Sequence, residues 1–261
     1  MNIILTNDDG IDAIGLRVLY ERLKKDGHRV GISAPLSNQS GKSQSINIRN
    51  SYKVRKDSAF EYGVDGTPAD SVLFMVYSSE FEGFEPDVII SGINKGYNVS
   101  SDVPYSGTCG AAAEGAMNEY RAIAVSAEYS DDSVFYKAAE FIAKNLKALC
   151  NNVLPYTYIS VNVPREGDVD DWESAKLAYF AHSNEIEKGE PIAPQLTIYH
   201  NRIFDRQEYK EVVREKCEKE QALRSDCEVV ADKKISVSII SVVPRTFSSH
   251  LTGLKLNHDD L

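Results

Sequence analysis

Apolar residues along this chain alternate between short continuous runs and stretches of helical period. Residues 2–6 (NIILT) are a run of the buried-strand kind. In residues 12–26 (DAIGLRVLYERLKKD), Leu16, Leu19, Tyr20 and Leu23 recur at i, i+3, i+4 and i+7, which predicts a helix. Asp12 is its expected N-cap, Lys24 and Lys25 suit its last turn, and Gly27 suits its stop. Residues 29–34 (RVGISA) predict the next strand, so strand, helix and strand compose a βαβ unit with parallel strands. Residues 45–55 and 60–65 predict shorter, more polar strands in a hairpin, and residues 69–78 predict a helix. DVIIS (87–91) and AIAVSA (122–127) read as buried strands, with a helix over 107–119 between them. A long helix over 132–149 turns Val134, Ala138, Phe141, Ile142 and Leu149 inward, and TYISVNV (157–163) is a further strand.

The pattern predicts an α/β fold with a doubly wound, mostly parallel sheet over residues 1–165, followed by a β-rich C-terminal segment, 166–261. In that segment 174–182 and 196–204 are expected strands. Residues 208–226 are charge-dense and fit a solvated helix or an extended arm, and 235–243 (ISVSIISVV) form a late strand returning to the core.

Composition narrows the function classes. Hydrophobic residues make up 42% and charged residues 26% of 261, an ordinary balance for a globular chain with a sizeable core. A formal net charge of −10 argues against a nucleic-acid polymer as partner. It leaves room for a small phosphorylated substrate, because a bound cation inverts the local field. No apolar run reaches membrane-spanning length and no basic n-region precedes the first strand, so a cytoplasmic protein is expected. Cys109, Cys150, Cys217 and Cys227 make no C-x-x-C pair and are expected to be reduced and mostly structural.

The polar residues that stand out follow strand ends, where ligands bind in open α/β sheets. Asn7-Asp8-Asp9-Gly10 follows the first strand. One of two adjacent aspartates can cap a helix; the other needs a partner, and its hard oxygens suit Mg²⁺ or Mn²⁺. APLSNQSGKSQS (34–45) adds hydroxyls and amides, and by itself reads equally as a polar loop. GINKGYNVSSDVPYSGT (92–108) ends in Ser106-Gly107-Thr108, directly before a helix of small residues. That stretch is either an N-cap with close packing or a phosphate cradle, since helix N-termini offer unpaired N–H groups. It matches neither G-x-x-x-x-G-K-[ST] nor G-x-G-x-x-G. An aspartyl-phosphate mechanism needs a second acid two residues after the nucleophile; here Gly10 and Ile11 stand there. No histidine competes as a catalytic base: His28 ends a helix–strand loop and the rest lie in the C-terminal part.

MNIILTNDDG, APLSNQSGKSQS, DGTPADSV (65–72), PDVIISGINKGYN (86–98) and YSGTCGAAAEG (105–115) together resemble the survival protein SurE family of 5′/3′-nucleotidases. The resemblance implies a Rossmann-like core and a C-terminal part exchanged between the subunits of a homodimer or homotetramer. It implies one divalent cation per subunit, Mg²⁺ or Mn²⁺, held by the residues matching Asp8, Asp9, Ser40 and Asn94. Ser40 and Asn94 enter only through the family pattern. By the same carry-over Asn98, Ser106, Gly107 and Thr108 face the substrate phosphate. The implied reaction hydrolyses nucleoside monophosphates with a water activated by the cation, and Asp8 is the candidate general base, with Asp9 able to exchange roles with it. A nucleotide-sensing module without catalysis is the alternative. The sequence departs from the family at two places. Ser100-Ser101 stand where a Gly-Asp or similar pair is usual before the acid matching Asp102, and Lys233-Lys234 stand where a Gly-Tyr is common before the late strand.

Overall fold

The strand that opens the chain, β1 (Asn2–Thr6), lies in the middle of the sheet and is covered on both faces, which is why its sequence is apolar without alternation. A computed structural model describes residues 1–178, 183–193, 196–204 and 223–243. After β1 come α1 (Ile14–Lys25), β2 (Arg29–Pro35), β3 (Val54–Ser58), β4 (Glu61–Val64), α2 (Pro68–Tyr77), β5 (Val88–Lys95), α3 (Gly107–Met117), β6 (Ala122–Ala127), α4 (Ser133–Asn152) and β7 (Thr157–Val163). The C-terminal part adds β8 (Trp172–Ser174), β9 (Ser183–Ala193), β10 (Leu196–Phe204), a short helix α5 (Asp226–Ala231) and β11 (Ile235–Ser241).

The main sheet runs β3-β4-β2-β1-β5-β6-β7-β11-β8. Strand β1 pairs in parallel with both β2 and β5, so the strand order reverses between β1 and β5. The loops leaving those two strands therefore open into one crevice at the switch point. The fold is α/β with a mostly parallel sheet; β3 on β4 and β11 on β7 are the antiparallel pairs. Helices α1 and α4 cover one face, where Leu16, Leu19, Leu23, Phe135, Phe141 and Ile142 pack on the odd-numbered residues of β1. Helices α2 and α3 cover the other. Gly15 lets α1 lie against the main chain of β5: a Cβ there would stand 2.1 Å from the Ile93 carbonyl oxygen. Cys109 and Cys150 are buried, and burial pushes both thiols up to about 11, which leaves them inert at neutral pH.

Several local expectations are corrected. Asp12 does not cap α1; Ala13 holds that position without a side-chain bond, and Asp12 pairs instead with Arg17 and Arg55. Of residues 45–55 only the end is strand. The segment before β3 is held by side chains of the α2 cap rather than by a ladder, and Ile46 and Ile48 are exposed. Strand β5 continues past Ser91 to Lys95 through a register shift between Ser91 and Asn94, so Asn94 is a strand residue. Gly92, at φ +138, carries that bulge. Strand β8 begins earlier than expected and stops at Ser174; residues 175–178 are not strand, and 179–182 lie outside the described residues. The polar stretch before β10 is strand β9, paired antiparallel with β10. Its pairing comes from its neighbour, and a polar strand leaves no hydrophobic alternation to find. Most of 208–226 lies outside the described residues; the helix that follows, α5, has Ser225 as N-cap.

Candidate active site

The turn after β1 is built by Asn7. Its side chain donates to the Gly10 carbonyl at 2.8 Å and accepts from the Gly10 N–H at 3.2 Å, while Gly10 takes φ +110. Asn7 is thus a buried brace, and the turn it closes presents Asp8 and Asp9. Asp8 is 3% exposed. Its Oδ1 accepts from the Thr108 hydroxyl at 2.5 Å, and a Cβ on Gly107 would stand 2.7 Å from its Cβ and 2.9 Å from its Oδ2. The acid after β1 therefore touches the first turn of α3. Asp9 is half-buried: its Oδ1 accepts from Asn38 Nδ2 at 3.1 Å and its Oδ2 from the Lys95 backbone N–H at 3.2 Å. Burial raises the pKa of both carboxyls. For Asp8 the Thr108 hydrogen bond opposes this and the charge of Asp9 adds to it; for Asp9 the Lys95 N–H and then the Lys95 charge oppose it.

The loop after β2 folds over this turn. The Gln39 N–H donates to the Asp8 carbonyl at 2.7 Å, and the Ser43 N–H to the Tyr105 carbonyl at 3.1 Å. Ser40 is exposed on that loop, with its N–H on Asn38 Oδ1 at 3.0 Å. Gly110 permits the contact between loop and α3, since a Cβ there would lie 2.3 Å from the Ser43 carbonyl oxygen. DGTPADSV supplies the far anchor. Thr67 and Asp70 form a capping box on α2, the Thr67 hydroxyl donates to the Ser45 carbonyl at 2.6 Å, and Asp70 accepts from the Asn47 N–H at 2.9 Å. Asp70→Ala removes three hydrogen bonds, from the Asn47 N–H and Nδ2 and the Thr67 N–H, and is expected to cost about 2–3 kcal/mol in urea unfolding, with activity lost through the loosened loop. Unchanged unfolding midpoint and turnover would refute that role.

Asn94 donates through Nδ2 to the Gly96 carbonyl at 3.0 Å, which directs its amide nitrogen away and leaves the carbonyl oxygen as the ligand-type atom. Asn98 is buried, and its Nδ2 donates to Ser126 Oγ at 2.8 Å. Ser106 is the N-cap of α3, its hydroxyl accepting from the Cys109 N–H at 3.0 Å. With Ser106 capping and both the hydroxyl and the N–H of Thr108 turned to Asp8, the group left to an anion at this helix tip is the N–H of Gly107. Asn38, Lys95, Thr67, Asp70, Ser126 and Asn162 were not singled out from the sequence as site residues. The signal for Ser126 and Asn162 was present as polar residues inside otherwise apolar strands.

The donor set fits a hard divalent cation. Two buried or half-buried carboxylates stand side by side, and no lysine or arginine side chain bonds either among the described residues. An amide oxygen and a hydroxyl lie on the adjoining elements, so the candidate ligands Asp8, Asp9, Ser40 and Asn94 are all oxygen donors.

A family model described as "Survival protein SurE" matches residues 3–185. The chain belongs to the SurE family. It is 37% identical over 193 residues to the 5′-nucleotidase SurE of Anaeromyxobacter sp. (strain Fw109-5), covering 73% of this chain and 74% of that one. It is 41% identical over 169 residues to the 5′-nucleotidase SurE of Methylocella silvestris, covering 63% and 67%. The crystal structure of the SurE protein from Aquifex aeolicus superposes with a TM-score of 0.73 at 29% identity, over 93% of this chain and 94% of that one. At both departures from the SurE pattern the first residue of the pair has a left-handed backbone. Ser100 has φ +54 and Lys233 φ +66, so each puts a side chain where glycine sits without strain. Ser100 is held there by the buried carboxylate of Asp226, which accepts its N–H at 2.8 Å, and by its own hydroxyl on the Ala178 carbonyl at 2.8 Å.

Proposed function

We propose that this SurE-family chain is a metal-dependent 5′/3′-nucleotidase that hydrolyses nucleoside monophosphates to nucleoside and phosphate. The observation that supports this reading is the contact between Asp8 and the first turn of α3, a buried carboxylate beside a helix N-terminus, which are groups of the kinds that bind a cation and an anion. Asp8, Asp9, Ser40 and Asn94 would hold one Mg²⁺ or Mn²⁺ per subunit. When bound, that cation supplies positive charge to the transferred group and acidifies the attacking water.

The chain's own residues do the rest. The N–H of Gly107 takes a non-bridging phosphate oxygen, and the positive end of α3 favours charge on the phosphoryl group during transfer. The second Nδ2 hydrogen of Asn98 gives a further donor to the same group. Asp8 accepts the proton of the water as its oxygen bonds to phosphorus and the ester oxygen departs to be protonated by solvent. Thr108 keeps the Asp8 carboxylate oriented through its hydroxyl. Residues 1–165 are the proposed catalytic core and 166–261 the assembly segment of a cytoplasmic homodimer or homotetramer. Strand β11 ties the second part to β7. No helix among the described residues is long and apolar enough to cross a membrane.

Phosphate release from a panel of nucleoside monophosphates, with Mg²⁺, with Mn²⁺ and with chelator, tests the reading. Release is expected with metal, and a loss of at least about 100-fold with chelator. Nucleotide binding without release, or release that chelation leaves untouched, overturns it.

A further inference from the structure

Asn162 is the penultimate residue of β7, between Val161 and Val163 and 1% exposed, where a strand buried on both faces has no need of a polar side chain. Its amide is spent on one residue. Oδ1 accepts from the Asn98 backbone N–H at 2.8 Å, and Nδ2 donates to the Asn98 carbonyl at 3.1 Å. The side chain thus pairs with both backbone polar groups of one residue, as the opposite residue of an antiparallel strand would. The Asn98 side chain is fixed separately, by Nδ2 on the Ser126 hydroxyl at 2.8 Å. Register explains how two strands reach one loop residue: Asn94, Ser126 and Asn162 stand opposite one another on β5, β6 and β7. After Asn94 the chain reverses at Gly96, φ +117, whose N–H bonds the Ala127 carbonyl at 2.9 Å, and this return lays Asn98 back over the row it has just left. Tyr97 adds a tether through its hydroxyl to Glu128 at 3.0 Å.

We infer that Asn162 and Ser126 are positioning residues for phosphate recognition: Asn162 sets the backbone of Asn98, and Ser126 its amide plane, so that the remaining Nδ2 hydrogen faces the substrate phosphate. This rests on the reading of Asn98 as a phosphate ligand. Both bonds are buried, with Ser126 1% and Asn98 6% exposed, so water does not compete to reorient the amide. Neither residue touches substrate; each acts by limiting where Asn98 points, and a misplacement of the order of an ångström is enough to lose about 100-fold.

The test is a double-mutant cycle with Asn98→Ala, Ser126→Ala and Asn162→Ala, read by steady-state kinetics, Mn²⁺ affinity and melting temperature. Ser126→Ala is expected to lose about fivefold in kcat/KM, mostly as raised KM, and Asn162→Ala on the order of 100-fold, with Mn²⁺ affinity unchanged. In the Asn98→Ala background both effects should largely vanish, because no amide is left to aim. Full additivity of folded variants, or melting temperature falling while kcat/KM stays at wild type, overturns the inference and assigns the bonds to stability alone. If Asn162→Ala does not fold, the Ser126 pair decides by the same criterion. Wild-type kcat/KM in Asn98→Ala refutes the phosphate role of Asn98 itself, whereas an impaired Asn98→Ala with an unimpaired Ser126→Ala refutes only the brace.

Discussion

Asp8→Asn is expected to lower kcat by about three orders of magnitude while leaving the metal-free protein at least as stable as wild type. Asparagine has the same shape, and its oxygen still accepts the Thr108 hydroxyl. What disappears is a negative charge that burial disfavours and that Asp9 repels. In the folded protein the pKa of Asp8 is raised, so at neutral pH its ionised form costs stability that the neutral amide does not. On the proposed mechanism the chain keeps this repelling pair of acids because the reaction uses their charge, a trade of stability for function. Phosphate release measures the first part, and melting in chelator the second. Near-wild-type turnover in metal-supplemented buffer sinks the assignment of Asp8 as ligand and base. A metal-free mutant several degrees less stable sinks the electrostatic account of the turn.

Gly107→Ala sets two principles against each other. Alanine is the better helix former by about 1 kcal/mol, so propensity alone predicts a harmless or stabilising change at the first residue of α3. The added Cβ, however, would lie 2.7 Å from the Asp8 Cβ, 2.9 Å from Oδ2 and 3.2 Å from Pro68 Cγ. Both Asp8 and Pro68 are held, one by Thr108 and the braced turn, the other at the start of α2, so the helix tip must retreat from the acid. On the proposed mechanism, cation and phosphate are then no longer held together. A loss on the order of 100-fold in kcat/KM is expected, with weaker Mn²⁺ binding by titration. Turnover within a factor of about two of wild type would show that the contact is dispensable.

Legibility followed burial. Strands β6 and β7 have the bounds their apolar runs predict, and α4 buries the five residues its period named. The adjacency of Asp8 and Asp9 was visible as unexplained charge at a strand end, and Ser106-Gly107-Thr108 as small polar residues before a helix of alanines and glycines. Roles within that helix tip were not visible. Nothing local says that the Ser106 hydroxyl caps, that Thr108 turns to an acid 100 positions earlier, or that Asn7 serves the turn and not a ligand. The hairpin strand β9 escaped because its pairing owes nothing to hydrophobic alternation. The cap of α1 was misassigned to Asp12 because two arginines, one from β3, compete for that carboxylate.

The sequence by itself determined which segments are strands and helices in the core, that hard oxygen ligands and a helix start follow strand ends, and which family those motifs resemble. Periodicity and side-chain type act over a few residues, and these properties depend on nothing further away. Tertiary structure decided that Gly107 abuts Asp8, that Asn38 from the loop after β2 and Lys95 from the end of β5 pin Asp9, and that β6 and β7 hold Asn98 from beneath. Those contacts follow from strand order and register, with β1 lying between β2 and β5 and the row Asn94, Ser126 and Asn162 aligned across three strands. Register is a global solution that buries all faces at once, and no local stretch of the chain encodes it.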